Sequence, residues 1–281
     1  MLQKISEYLY ESCISKETLG GGSIADTFLV TSEKGNKYVV KTGMQNSKAL
    51  LCEAHGLEAL RESQSIRVPN VIFSNEEYLV IEFIEEGKPQ RDFFTQFGRK
   101  FAKLHQTTSS YFGFFEDNFI GNTPQINTKC DSWETFYREY RLRYQLDLLK
   151  NQGFWTQTLQ LFYEKLEPTV HEVLNGSEEE AVLLHGDLWS GNFMVDSKGE
   201  ACIYDPAVYY GHREADLAMT KLFGGFSESF YQSYNEVYPL KEGWQYREPL
   251  YKLYHILNHV NLFGNSYLQS ATSIIKDYLK A

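Results

Sequence analysis

A basic excess, long apolar runs and paired cysteines are all missing from this 281-residue chain, and each absence closes off a class of function. Its 27 lysines and arginines are outnumbered by 37 acidic residues, a formal net charge of −10. A general nucleic-acid binder needs a basic face to meet phosphates, so that class is excluded, although a small anion held in a local basic pocket is not. No window approaches the roughly 18 uninterrupted apolar residues of a membrane span. The opening MLQKISEYLYESC lacks the apolar core of a signal peptide. Neither nucleic acid nor membrane is therefore expected as a partner. The four cysteines (Cys13, Cys52, Cys130 and Cys202) form no C-x-x-C pair or other ligand spacing. They read as reduced, mostly buried thiols of a cytoplasmic protein. There is no internal repeat and no low-complexity tract, and oligomeric state leaves no mark in the sequence.

What is present is enough apolar material for a sizeable core: 42% hydrophobic residues, with aromatics at 15%. Up to about Glu86 the chain favours short runs of β-branched and aromatic residues bounded by turn formers: DTFLV (26–30), KYVVK (37–41), VIFS (71–74) and YLVIEFI (78–84). SEKGNK (32–37) reads as a hairpin connection between the first two. One helix, about Lys48 to Glu62, interrupts these strands and is closed by RVPN. Beyond EEGKP (85–89) the period changes. Phe94, Phe97, Phe101 and Leu104 recur at helical spacing. So do Trp133, Phe136, Tyr137 and Tyr140, then Leu159, Phe162, Leu166 and Val170, then Leu250, Leu253, Leu257 and Val260. The expectation is an α+β protein with a small β-rich lobe over residues 1–86 and a larger, mainly helical lobe over 87–281.

Four short patterns then carry chemistry. Gly20, Gly21 and Gly22 fall where two strands should turn, so backbone N–H groups there can approach phosphate oxygens. The turn lacks the G-K-[ST] ending of a Walker A loop and matches G-x-G-x-x-G poorly. Lys41 lies in the apolar run YVVKTG, where an inward-pointing ammonium needs a partner. Glu53 on the following helix is the better-placed carboxylate, and Glu58 competes with it. A strand Lys paired with a helix Glu is how kinases grip the phosphates of ATP. In HGDLWSGN, Asp187 and Asn192 have the D-x4-N spacing of a kinase catalytic loop, where the Asp accepts the substrate hydroxyl proton and the Asn binds Mg²⁺. Asp205, thirteen residues past Asn192, then stands as the second Mg²⁺ ligand, in keeping with that cation's preference for a few oxygens plus phosphate. DPAVYYG replaces Asp-Phe-Gly, and ten residues separate Asp205 from Asp216. No long activation loop fits there, so the expected acceptor is a small hydroxylated molecule.

Taken together, HGDLWSGN, DPAVYYGHREADLAM, LFGGF, LYHILNHVNLFGNSY and the turn LGGGSI resemble the fructosamine 3-kinase and ketosamine kinase family. The resemblance runs from about Leu19 to near the carboxy terminus. It implies the protein-kinase-like fold of aminoglycoside and choline kinases, ATP and Mg²⁺ as cofactors, and phosphorylation of the 3-hydroxyl of a ketosamine or glycated lysine. The unstable 3-phosphate would then eliminate and free the amine. Carried onto this sequence, Asp187 is the base, Asn192 and Asp205 hold Mg²⁺, and Lys41 with Glu53 grips ATP. The backbone of Gly21, Gly22 and Ser23 covers its phosphates, and Glu82, Phe83 and Ile84 bond adenine through their main chain.

Several further residues have two readings each. His212, Arg213 and Glu214 are expected either to line the sugar site or to form a salt-bridged anchor. Trp189 stacks on the sugar or packs in the core. His255, Asn258, His259 and Asn261 bond substrate or are satisfied by neighbouring loops. Asp216 caps a helix or braces the catalytic-loop backbone.

Overall fold

Alternation along the third strand decides what the amino-terminal lobe can do. The structure, a computed structural model describing residues 1–20 and 25–280, begins with helix α1 (Leu2–Leu9) and strands β1 (Cys13–Thr18), β2 (Asp26–Ser32) and β3 (Lys37–Thr42). Helix α2 (Ala49–Glu62) and strands β4 (Val71–Ser74) and β5 (Leu79–Glu82) follow. The five strands form an antiparallel sheet in the order β1-β2-β3-β5-β4. On β3, Val40 faces a small core with Ile5, Val30 and Val80, while Val39 and Lys41 take the opposite face. Helix α1 was not anticipated: the expectation of a single helix in this lobe is wrong. Its Ile5 closes that small core, and Tyr8 stacks on Phe73 with ring centroids 4.0 Å apart.

The second lobe starts with α3 (Phe93–Leu104), whose Phe97, Phe101 and Leu104 are buried as their spacing predicts. Short strands β6 (Thr108–Ser109), β7 (Asn118–Ile120) and β8 (Thr123–Gln125) lead to α4 (Trp133–Tyr137), a π-helical stretch Arg138–Arg143, α5 (Tyr144–Asn151), α6 (Gln157–Glu164) and α7 (Leu166–Leu174). The Leu159-to-Val170 stripe is thus two helices rather than one. Pro168 has no N–H for the carbonyl four residues back, so the chain breaks at Lys165 and restarts. Next come β9 (Ala181–Leu184), β10 (Phe193–Val195), β11 (Ala201–Ile203), β12 (Tyr209–Gly211), α8 (Arg213–Thr220), α9 (Glu228–Val237), α10 (Trp244–Phe263) and α11 (Leu268–Lys280). Four buried residues in a row make β9 a central strand, lying between β12 and β6. Helices α3 and α9 touch backbone to side: a Cβ at Gly98 would lie 2.2 Å from the Phe230 carbonyl. Leu250, Leu253, Leu257 and Val260 bury one stripe of α10. Among the described residues no helix is long and apolar enough to cross a membrane.

Candidate active site

Two hairpin-like connections bring the predicted motifs to one place. The loop 185–192 leaves the buried end of β9, and β10 pairs with β11 so that Phe193 faces Ile203. One step beyond that pair, the Tyr204 N–H donates to the Asn192 carbonyl at 3.0 Å. Asn192 and Asp205 consequently sit at the ends of neighbouring strands. The Asn192 amide donates to the Asp187 carbonyl at 2.8 Å and to its carboxylate at 3.3 Å. Its Oδ1 accepts no hydrogen bond among the described residues, and its Nδ2 lies 3.5 Å from the Asp205 carbonyl. Asp205 adopts φ 56°, a left-handed conformation that Asp tolerates better than most residues.

Lys41 joins the two lobes. Its ammonium bonds Glu53 at 2.6 Å and also the Asp205 carboxylate. Glu58 is exposed and takes no part. Burial works against the Lys41 charge, but the Asp205 and Glu53 carboxylates outweigh it and raise its pKa. Helix α2 reaches this point because Gly56 lets it pack on the segment after Asp205: a Cβ there would be 3.2 Å from Pro206 and 3.3 Å from Val208.

The catalytic-loop backbone is held from beneath. The Asp216 carboxylate accepts the N–H of His185 at 2.7 Å and of Gly186 at 2.8 Å, so of its two expected roles the structure shows the bracing one. His105, at the end of α3, bonds the same carboxylate at 3.2 Å and Tyr234 Oη at 2.7 Å. Burial opposes ionisation of Asp216, yet these bonds and the nearby histidines keep its pKa below the ordinary range. Sequence reading missed His105, whose partner lies 111 positions away; no local pattern marks it. His185 Nε2 donates to the Tyr204 carbonyl at 3.0 Å, so Nδ1 accepts from the Asp187 N–H at 3.3 Å.

Asp187 itself is half-buried. Enclosure, and then repulsion from Asp205, push its pKa well above the ordinary carboxylate range, while the Asn192 bond pulls the other way. Gly186 allows the loop to turn: it has φ 81°, and a Cβ would meet the Ala207 carbonyl at 1.9 Å. Gly186→Ala is therefore expected to destabilise the protein by about 3 kcal/mol or more, from left-handed strain plus a backbone clash. The shift of the urea unfolding midpoint measures it.

For the residues with two readings, the sugar-site role of His212, Arg213 and Glu214 is the one the structure corrects, and their anchor role is the one it shows. His212 is fully buried, with Nε2 bonded to the Ser177 carbonyl at 2.7 Å and Nδ1 to Tyr251 Oη at 3.1 Å. Arg213 spends its guanidinium on Glu179 and on the carbonyls of Tyr238 and Pro239. Glu214 forms a two-bond pair with Arg247, both at 2.7 Å. All three are anchors with no polar atom free for a sugar. Asn258 and Asn261 are tied to Gln145 on α5, while Asn261 Oδ1 is buried without a partner among the described residues. His255 is buried with Nδ1 unpaired, and burial drives its pKa down to about 3. His259 bonds the His255 carbonyl through Nδ1 at 2.7 Å and packs on Phe223. Trp189 is half-buried, edge-to-face with Phe223 at 5.6 Å.

For the nucleotide, Gly21, Gly22 and Ser23 lie outside the described residues, and Gly20 is exposed at the β1–β2 turn. At the lobe junction Glu82 turns its side chain to Arg67 and Asn70. Phe83 and Ile84 follow directly on β5, whose last residue Glu82 is paired with Tyr38 and gives its N–H to the Asn70 carbonyl at 2.9 Å. Among the described residues no group of three or more His, Cys, Asp or Glu side chains gathers as a metal cluster there. An Asp carboxylate and a free Asn oxygen match a hard cation whose remaining ligands are phosphate and water.

The family model for fructosamine kinases matches residues 2–281. The chain belongs to the fructosamine kinase family. A chloroplastic protein-ribulosamine 3-kinase of Arabidopsis thaliana is 43% identical, over 94% of this chain and 82% of that one. A solved Thermobifida fusca structure described as a fructosamine-3-kinase is 31% identical with a TM-score of 0.90, covering 100% of this chain and 99% of its own. A type I macrolide 2'-phosphotransferase, 13% identical at a TM-score of 0.65 over 97% and 96% of the two chains, shares the fold. The architecture of this fructosamine kinase relative is the protein-kinase-like bilobal one, an antiparallel β lobe on a mainly helical lobe.

Proposed function

We propose that this protein transfers the γ-phosphoryl group of ATP to the 3-hydroxyl of a ketosamine, the rearranged adduct of a sugar with an amine, after which elimination of the 3-phosphate frees the amine. The observation that carries the reading is the meeting of Asp187, Asn192 and Asp205 across from Lys41 and Glu53, in a chain of this family. Asp187 accepts the proton of the attacking hydroxyl and aims its oxygen. Asn192 Oδ1 and Asp205 are the ligands for Mg²⁺, which when bound neutralises charge on the transferring phosphoryl group. Lys41 leaves Asp205 for the nucleotide phosphates and stays paired with Glu53. The main chain at Phe83 and Ile84, where the chain leaves β5, is the candidate adenine contact. Trp189 and His259 are the remaining candidates for contact with the sugar or its amine.

The test is an ATP- and Mg²⁺-dependent assay on ribulosyl-lysine and fructosyl-lysine, with choline and an aminoglycoside alongside. Turnover is expected with the ketosamines, with phosphate recovered from position 3 or as the elimination product. Turnover confined to choline or the aminoglycoside would keep the site chemistry and discard the substrate.

A further inference from the structure

The segment between Asp205 and β12 has no regular structure, yet Ala207 and Val208 in it, and Tyr209 at the start of β12, are gripped by one buried polar network. Gln125 Nε2 donates one hydrogen to the Ala207 carbonyl at 3.0 Å and the other to Asn118 Oδ1 at 2.8 Å. Asn118 Nδ2 donates to the Val208 carbonyl at 2.7 Å. Arg141, in the π-helical stretch, lies 4.0 Å from the ring centre of Tyr209 and bonds Asn127 at 2.7 Å. Asn127 in turn donates to Asn118 Oδ1 at 3.0 Å, and Tyr254 Oη donates to Gln125 Oε1 at 2.7 Å. All of Asn118, Gln125, Asn127, Arg141 and Tyr254 are at most 4% exposed.

The geometry points to Gln125 and Asn118, oriented by Tyr254, as positioning residues for the divalent cation: they clamp residues 207 and 208 so that the Asp205 carboxylate stays opposite Asn192. This rests on the reading of Asp205 as a cation ligand. Three features support it. Asn118 and Gln125 stand directly opposite each other in the β7–β8 register, so one hairpin delivers both clamps. Neither amide can flip, because Gln125 Nε2 faces the Ala207 carbonyl and Asn118 Nδ2 the Val208 carbonyl, and a carbonyl only accepts. Asp205 itself holds a left-handed φ of 56°, an uncommon conformation outside glycine, and the clamped carbonyls lie two and three residues beyond it. The Ala207 N–H, bonded to the His185 carbonyl at 2.9 Å, passes the same constraint to the catalytic loop.

The test reads metal binding directly, as Mn²⁺ bound in the presence of a non-hydrolysable ATP analogue followed by electron paramagnetic resonance. Gln125→Met keeps the volume and removes the amide; it is expected to weaken Mn²⁺ by about 10–100-fold, the usual effect of losing a group that orients a metal ligand. Tyr254→Phe removes one hydroxyl, preserves the fold and is expected to weaken Mn²⁺ in the same direction by a smaller factor. Nucleotide affinity without metal and the ketosamine KM should not change. A lowered Tm with wild-type Mn²⁺ affinity in Tyr254→Phe would overturn the proposal, whether or not Gln125→Met folds. Asp205→Asn separates the two readings. If it too binds Mn²⁺ normally, Asp205 is not a ligand; if it alone loses Mn²⁺, only the positioning role fails.

Discussion

Asp187→Ala is expected to lower kcat by about 10²–10⁴-fold, the contribution of a well-placed general base, while nucleotide affinity stays near that of the wild type. Retention of near-normal turnover would remove the central residue from the mechanism. The pH dependence follows from the pKa direction. Asp187 must be ionised to accept a proton, and enclosure and Asp205 raise its pKa. Turnover at low metal and nucleotide concentration should therefore fall with decreasing pH at values above the ordinary carboxylate range. Bound cation offsets Asp205, so saturating Mg²⁺ and ATP should shift that limb to lower pH. The sign for stability is the reverse. A carboxyl whose folded pKa is raised favours the folded state in its protonated form, and that stability is lost as pH rises through the folded value. Asp187→Asn should thus raise the Tm of the unliganded protein at neutral pH as it removes activity. A thermal melt of both proteins at pH 7 checks this, and a lower Tm in the variant would contradict the pKa direction.

Lys41→Met has the second-largest expected effect, because it acts on both folding and phosphate binding. It strands the Glu53 carboxylate, whose side chain is 15% exposed, without its cation. The expected loss is about 2–4 kcal/mol, towards the low side for breaking a buried pair, since Asp205 at 41% side-chain exposure can turn to water. Turnover should fall by about 10²–10³-fold, as when one electrostatic donor is removed from a phosphoryl-transfer site. Chemical denaturation of the single and double variants separates the two effects. Lys41→Met with Glu53→Gln should be less destabilised than the sum of the single changes, because the stranded charge is gone. Additivity would mean that the pair is not coupled.

Much of this site could be read in order along the chain. HGDLWSGN sets Asp187 and Asn192 five apart, DPAVYYG supplies Asp205, and the alternation of YVVKTG places Lys41 on the face opposite Val40. Each of these is a spacing rule, and strand and loop geometry convert spacing into position. His212, Arg213 and Glu214 show where such reading stops. As a polar cluster a few residues past Asp205 they could line a site or serve as an anchor, and the partners Ser177, Glu179 and Arg247 that make them anchors are not marked nearby. Nothing local records that a charge is spent, because the partner can be anywhere in the chain.

Taken by itself, the sequence determined most of the strand and helix periods, the order of the candidate site motifs and the fold family they belong to. Those properties depend on residues within about one element of each other. Only the tertiary structure decided that Glu53 rather than Glu58 meets Lys41, and that His105 and Asp216 brace the loop. It also decided that the hairpin bearing Asn118 and Gln125 holds the backbone behind Asp205. Each of these joins residues that only packing brings together. A buried donor or acceptor must find its partner wherever the fold puts one, at 111 positions' distance for His105 and Asp216.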